Sequence, residues 1–178
     1  MAVAALTALA AQTLGLAACG GDDGRGDETS ATTTTAEDET ATTEDSRDAL
    51  EAEIVAAYEA SWNGFIEAGD PPSPDAPALA EHLAGEALEV TRALLSQYQV
   101  EDVVLRRTFE VDAQVTEIGD DRAVVEDCAL DQLEVIVPDS GMVVEGHDDE
   151  RDGFVAELTL EGGSWKVISL IDDDRVCV

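Results

Sequence analysis

Few residues of this chain are of types that commonly perform chemistry. The sequence has two histidines and three cysteines, and its 41 acidic residues far outnumber its nine basic ones. His82 falls in a predicted short helix, and His147 falls in an acidic segment that reads as the exposed tip of a hairpin. Neither histidine can be combined with a serine or cysteine into a recognisable nucleophile and base. The sequence therefore predicts no catalytic dyad or triad.

Asp127 is the strongest candidate for a general base, although only a weak one. It lies two residues from Val125 and two from Ala129 in a predicted strand, so the alternation can turn it inward while Glu126 faces solvent. A carboxyl group inside an apolar pocket has a raised pKa and can act as a base. In the other interpretation, Asp127 caps a backbone group or faces solvent at the rim. The sequence leaves both interpretations open.

One acidic segment partly matches a calcium-binding loop. Asp148, Glu150 and Asp152 alternate before Gly153, as in the first half of such a loop. The twelfth position, which would need a bidentate glutamate, is Thr159, and the flanking segments read as strands rather than helices. The chain also lacks the paired Cys or His spacings of zinc sites. We therefore expect neither a dedicated metal site nor a cofactor.

The N-terminal segment predicts export. Residues 1–18 are small and mostly apolar, are short for a membrane span of about 20 residues, and end in small residues as a processed signal peptide does. Leu16-Ala17-Ala18-Cys19 resembles the lipobox of bacterial lipoproteins. That resemblance implies cleavage before Cys19, a diacylated thiol and a lipid anchor on the extracytoplasmic side of the cell membrane.

Two other readings of this segment remain: an ordinary cleaved signal peptide with a free cysteine, or an uncleaved anchor. Signal peptides normally begin with positive charge, whereas the first basic residue here is Arg25. We therefore expect translation to begin upstream of Met1.

The rest of the chain divides into a polar segment and a domain. Residues 19–45 contain threonine, alanine, glycine and acidic residues but no large apolar ones, so they are predicted to form a disordered tether. Ser46 is a predicted helix N-cap, and residues 46–178 are predicted to form a single domain.

The hydrophobic periodicity changes along that domain. Apolar residues recur every three or four positions from Leu50 to Ile66, which predicts a helix, and shorter helices are predicted near 78–83 and 87–98. After Gln99 the period becomes two, as in half-buried strands. Strands are predicted at 109–115, 123–130 with a resumption at 133–137, 154–160 and 165–171. Helices followed by an antiparallel meander predict an α+β fold.

Several segments of this domain resemble a known family over roughly residues 48–178. They are Tyr58 and Trp62 in the first helix, Pro71-Pro72-Ser73-Pro74, Glu126-Asp127-Cys128, and Gly163-x-Trp165-Lys166-Val167 followed by Cys177. This combination resembles the actinobacterial secreted lipoproteins of the nuclear-transport-factor-2-like superfamily. The resemblance implies a cystatin-like, cone-shaped fold, in which N-terminal helices pack on a curved antiparallel sheet of four to six strands.

The resemblance also implies a pocket at the wide end of the cone, which Tyr58, Trp62 and Asp127 would line. The superfamily includes ketosteroid isomerase, limonene epoxide hydrolase and SnoaL-type cyclases, but also binding and scaffold domains, so the fold alone does not give the function. In ketosteroid isomerase a carboxylate and a tyrosine share the pocket, and Asp127 with Tyr58 could imitate that pair.

The odd number of cysteines is explained if Cys19 carries the lipid. Cys128 and Cys177 then remain as a pair in an oxidising compartment, which predicts a disulfide between them. The alternative is two free, buried thiols.

The formal net charge of −32 disfavours nucleic acids and anionic lipid headgroups as partners.

We predict a non-enzymatic module at the membrane that binds a small apolar ligand or an envelope protein in or near the mouth of the cone. The alternative is an isomerase- or hydrolase-like enzyme that uses Asp127. The two hypotheses differ in whether Asp127 lies in an open pocket or among packed side chains.

Overall fold

Helix α1 (Asp38–Glu67) provides the apolar face on which the sheets pack. In this computed structural model, which describes residues 38–106, 109–146 and 151–178, Ile54 and Tyr58 of α1 are fully buried. The helix begins at Asp38 rather than near Ser46, so Ser46 lies inside it and not at its N-cap. Residues 38–45 contain no glycine or proline that would stop a helix, and the helix continues through them.

The N-terminal part of the chain and one loop lie outside the described residues. These parts include the predicted signal peptide, Cys19, the tether up to residue 37, His147 and the calcium-loop residues Asp148 and Glu150. Among the residues that are described, none of the helices combines the length and the apolar character needed to cross a membrane.

Two shorter helices follow, as the periodicity predicts. Helix α2 (Pro77–His82) begins with proline, whose missing N–H is tolerated in the first turn. Helix α3 (Gly85–Glu101) ends at Asp102, which adopts the left-handed conformation of a helix C-cap. Leu95 and Tyr98 of α3 are buried against the core.

The strands form two antiparallel sheets. The main sheet contains five strands: β2 (Phe109–Glu110), β3 (Ala113–Ile118), β4 (Arg122–Asp131), β7 (Arg151–Glu161) and β8 (Ser164–Asp172). Its order is β2-β4-β7-β8, with β3 also paired to β4. The small sheet contains β1 (Val104–Arg106), β5 (Glu134–Val137) and β6 (Met142–Gly146) in the order β1-β5-β6. Helices packed on antiparallel sheets confirm the predicted α+β fold.

The expected single sheet is divided at Asp131. The Asp131 Oδ1 atom accepts the backbone N–H of Leu133 at 2.8 Å, a side-chain turn that ends β4. The segment 133–137 therefore does not extend β4 but forms β5 of the small sheet. The predicted strand at 109–115 is likewise interrupted between β2 and β3, where the Asp112 N–H bonds to Asp127 Oδ1 rather than to a neighbouring strand.

A disulfide attaches the end of the chain to the main sheet. Cys128 of β4 is bonded to Cys177 in the C-terminal 3-10 turn (Asp174–Cys177), with 5.1 Å between the Cα atoms, which confirms the predicted pairing. Gly153 lies opposite Cys128 on β7, and its carbonyl accepts the Asp173 N–H at 2.7 Å. A Cβ atom at Gly153 would lie only 2.2 Å from the Asp173 carbonyl oxygen. The C-terminal tail can therefore cross β7 only because this residue is glycine.

Removing the disulfide is expected to destabilise the fold. The bond joins residues 49 positions apart, and the chain-entropy model gives such a loop about 4 kcal/mol of stabilisation. We expect the double variant Cys128→Ala/Cys177→Ala to lose about that much free energy of unfolding in urea titrations. The wild-type chain measured under reducing conditions should lose a similar amount. A loss below about 1 kcal/mol in both measurements would show that the tail adds little to the fold.

Candidate functional site

A cavity of about 450 Å³ lies where the small sheet, the end of the main sheet and helices α1 and α3 meet. Most of its wall is apolar, and four of the wall residues are aromatic. The helices contribute Trp62, Phe65, Leu94 and Tyr98, the strands contribute Leu105, Val135 and Phe154, and the connection between β4 and β5 contributes Leu133. The cavity therefore offers a ready-made apolar surface to a small molecule.

The rest of the cavity wall is acidic. Five carboxylates contribute to it: Asp131, Glu145, Asp152, Asp172 and Asp174. None of the described lining residues is lysine, arginine or histidine. Asp174 begins the C-terminal turn that the disulfide holds in place, and Asp172 ends β8 just before it, so the disulfide also helps to position this side of the cavity.

Trp62 separates this cavity from the packed core. Its ring stacks on Phe109, with 3.8 Å between ring centroids, and makes an edge contact with Phe154 at 5.4 Å. The Tyr58 ring meets Trp62 edge-on at 6.4 Å, one helical turn earlier in α1. Trp62 therefore contacts both the cavity and the buried Tyr58.

Asp127 and Tyr58 lie together, but not in the cavity. The alternation along β4 turns Asp127 inward as predicted, and Asp127 and Tyr58 are 1% and 0% exposed. Neither is among the residues that line the cavity, whereas Trp62 is. The expectation that Tyr58 and Asp127 line an open pocket is therefore wrong, because Phe154, the cross-strand neighbour of Asp127, and Phe109 pack around Trp62 and fill that space.

Among the described residues, only one of the two oxygens of the Asp127 carboxyl group has a hydrogen-bond partner. Its Oδ1 atom accepts the Asp112 backbone N–H at 2.7 Å, so the backbone-capping interpretation holds for that oxygen. Among the described residues, no hydrogen-bond partner exists for Asp127 Oδ2, the Tyr58 hydroxyl or the Trp62 indole N–H, all of which are buried. Buried polar atoms without partners are rare in folded proteins, since each one costs free energy.

Burial changes the proton affinity of both groups. Loss of solvation raises the pKa of Asp127 above its ordinary value, and the hydrogen bond from Asp112 only partly offsets that effect. The pKa of Tyr58 is raised well above its ordinary value, first by burial and then by the negative charge of Asp127. Burial therefore shifts each side chain toward its neutral form, relative to the same group in water. Nevertheless, a molecule in the cavity could reach them only if the aromatic cluster moved.

The other candidate residues lie elsewhere. His82 ends α2 and is not among the residues that line the cavity. Thr159, the twelfth position of the partial calcium loop, lies within β7, so the flanks of that loop are strands as the sequence indicates. Among the described residues, no group of three or more potential ligands could hold a metal ion.

Several residues of the cavity were not identified from the sequence. Tyr98 is predicted on the apolar face of its helix, but nothing in the pattern directs it to a pocket. Glu145 lies on β6, which the sequence analysis does not predict. The run Met142-Val143-Val144 directly after a turn, rich in residues that favour strands, is the signal that could have found it.

Comparisons with known proteins give similarity of fold only. No protein-family model matches the chain, and no curated protein matches it. The intermembrane space region of the chloroplast protein ARC6 is similar with a TM-score of 0.50 and 15% identity, over 67% of this chain and 90% of that one.

Two further crystal structures are similar at lower scores. A domain of unknown function with a cystatin-like fold from Nostoc punctiforme has a TM-score of 0.44 and 15% identity, over 68% of this chain and 76% of that one. An NTF2-like protein from Cytophaga hutchinsonii has a TM-score of 0.45 and 18% identity, over 72% of this chain and 97% of that one.

Replacing Asp127 by asparagine is expected to remove a pH dependence of stability. A carboxyl group whose pKa is raised by folding binds its proton more tightly in the folded state, so the wild-type chain loses stability as the pH rises from the ordinary Asp pKa through the raised one. The amide of Asp127→Asn stays neutral and can still accept the Asp112 N–H. We therefore expect this variant to be more stable than the wild type near pH 7, because its amide avoids the cost of burying a charge.

Urea titrations between pH 3 and pH 8 measure the free energy of unfolding of the wild type and of Asp127→Asn. The difference between the two should disappear at the acid end. The exposed neighbour Glu126 provides the matched control, and Glu126→Gln should not reproduce the pH-dependent gain. If Asp127→Asn matched the wild type at the acid end but became less stable than it as the pH rose, the charged carboxylate would be the form that the core requires.

Proposed function

We propose that this chain is a lipoprotein, anchored through Cys19 to the extracytoplasmic side of a membrane, whose α+β domain binds a small, largely apolar molecule in the cavity beside Trp62. The observation that carries the binding role is the cavity itself, which side chains leave open at about 450 Å³. The anchor is supported by the resemblance of Leu16-Ala17-Ala18-Cys19 to a lipobox.

The size and wall of the cavity support a small-molecule ligand. Binding sites for small molecules commonly enclose about 300–1,000 Å³ and are lined mainly by apolar and aromatic side chains. Phe65 and Leu94 supply such a surface from two helices, and Val135 supplies it from the small sheet. Each Å² of apolar ligand surface that leaves water there contributes roughly 25 cal/mol.

The position of Asp127 favours binding over catalysis. A general base must come within hydrogen-bond reach of the proton that it removes. Asp127 is almost completely buried, one of its oxygens accepts the Asp112 N–H, and Trp62 and Phe154 pack beside it. The Asp127–Tyr58 pair therefore fits a structural role in the core better than a role in acid–base chemistry.

Tryptophan fluorescence tests the binding role. The chain has two tryptophans, and Trp165→Phe leaves Trp62 as the single reporter at the cavity. We expect octanol, as an apolar probe, to bind saturably and to shift the Trp62 emission to shorter wavelength, because it replaces water beside the ring.

A second substitution in this background distinguishes the cavity from other apolar surfaces. Val135→Phe places a larger side chain at the cavity wall and should abolish the shift, whereas Leu160→Phe, on a partly exposed strand position, should leave it unchanged. Thermal unfolding would establish that both variants fold. An unaltered titration in folded Val135→Phe would show that the cavity is not the binding site.

The membrane anchor is tested separately, in the cell. We expect the wild-type chain to fractionate with membranes and to carry the added mass of a lipid on Cys19. Cys19→Ser should be released from the membrane fraction and lack that mass, since the lipid is attached to the thiol. A Cys19→Ser chain that remains membrane-bound with unchanged mass would rule out this anchor.

A further inference from the structure

We infer that the cavity is selective for organic cations, that is, for molecules with an apolar body and a positively charged group. This inference rests on the proposed function and specifies its ligand class. It combines two features of one cavity: an apolar and aromatic wall on α1 and α3, and a carboxylate wall formed by β6, the end of β8 and the C-terminal turn. The apolar body would pack on the first, and the cation would face the second.

Three of the five carboxylates at the cavity are the basis of the inferred cation selectivity. Glu145, Asp172 and Asp174 line the cavity, and within the described parts of the chain they take part in no ion pair. Asp131 and Asp152 also line it but interact with other groups, so we do not count their charges. Glu145 belongs to β6 of the small sheet, Asp172 ends β8 and Asp174 begins the C-terminal turn, so the negative charge at the cavity comes from separate parts of the fold.

This negative charge acts on the aromatic wall. Tyr98 lines the cavity from α3, and its pKa is raised first by burial and then by the negative charge of Glu145 and of Glu101. The negative charge that raises the pKa of Tyr98 also favours a cation beside its ring. Aromatic faces add to the effect, because their quadrupole attracts positive charge.

The charge of the whole domain acts in the same direction. Residues 49–178 contain 31 acidic and seven basic residues, so the approach of an anion to the opening is opposed and that of a cation is assisted. A basic protein would also be attracted, but a cavity of about 450 Å³ suits one small molecule rather than a protein surface. We therefore assign the cavity to a small cation.

Three probes with the same apolar chain test the selectivity. Octyltrimethylammonium, octanol and octyl sulfate would be titrated into the full chain carrying Trp165→Phe, with Trp62 fluorescence as the readout. We expect affinity to decrease in that order and to differ at least tenfold between the cation and the anion. Added sodium chloride should weaken binding of the cation but not of octanol, because salt screens only the charge.

Matched variants locate the charge that is responsible. Glu145→Gln/Asp172→Asn removes two charges at the cavity and should weaken binding of octyltrimethylammonium several-fold while leaving octanol unaffected. Asp120→Asn/Glu161→Gln removes two charges, one in the turn before β4 and one at the last residue of β7, away from the ends of these strands that line the cavity, and should change neither. Val135→Phe should abolish binding of both probes.

The outcomes separate this inference from the proposed function. If none of the three probes bound, the small-molecule role itself would be contradicted. Equal affinities for all three, or an equal loss in the two charge variants, would overturn cation selectivity while leaving an apolar binding site. If a lysine-rich peptide bound in dependence on Glu145 and Asp172 but octyltrimethylammonium did not, the opening would recognise a basic protein instead.

Discussion

The packing of Trp62 against Phe109 and Phe154 is the interaction on which both the core and the cavity depend. Offset and edge-on contacts between such rings each contribute about 0.5–1.5 kcal/mol beyond the burial of their area. Here they also have a geometric effect, because the cluster covers Tyr58 and Asp127 on one side and forms the cavity wall on the other. The space between the helices and the sheets is thereby divided into a filled half and an open half.

The filled half explains how an acidic residue can occupy the core. Burying a charged carboxylate is costly, but a neutral one needs only hydrogen-bond partners. Asp127 obtains one from the Asp112 N–H, at the interruption between β2 and β3 where a strand partner for that amide is missing. The Asp127 carboxyl group thus pairs with the free backbone N–H at a break in the sheet, which fits a structural role in the core.

The sequence predicts the helices and strands that have a regular apolar period, but not how their side chains pack together. Helix α1 and strands β4, β7 and β8 follow from apolar spacing, and the inward direction of Asp127 follows from alternation along β4. Strand β1 has only three residues, and all five residues of β6 are exposed, so neither shows an alternating pattern. Whether Asp127 is accessible depends on Phe109 and Phe154, which are distant in sequence, and no local pattern reports that contact.

The central claim is that a small ligand occupies the cavity on the far side of Trp62 from Asp127. Intermolecular nuclear Overhauser effects between octyltrimethylammonium and the folded chain test it most directly, because they report which side chains lie within a few ångströms of the probe. The account predicts contacts from the octyl chain to the ring protons of Trp62, Phe65 and Tyr98, and none to Tyr58. Contacts to Tyr58, or contacts only to Val90 and Ile171 of the neighbouring groove between α3 and β8, would contradict it.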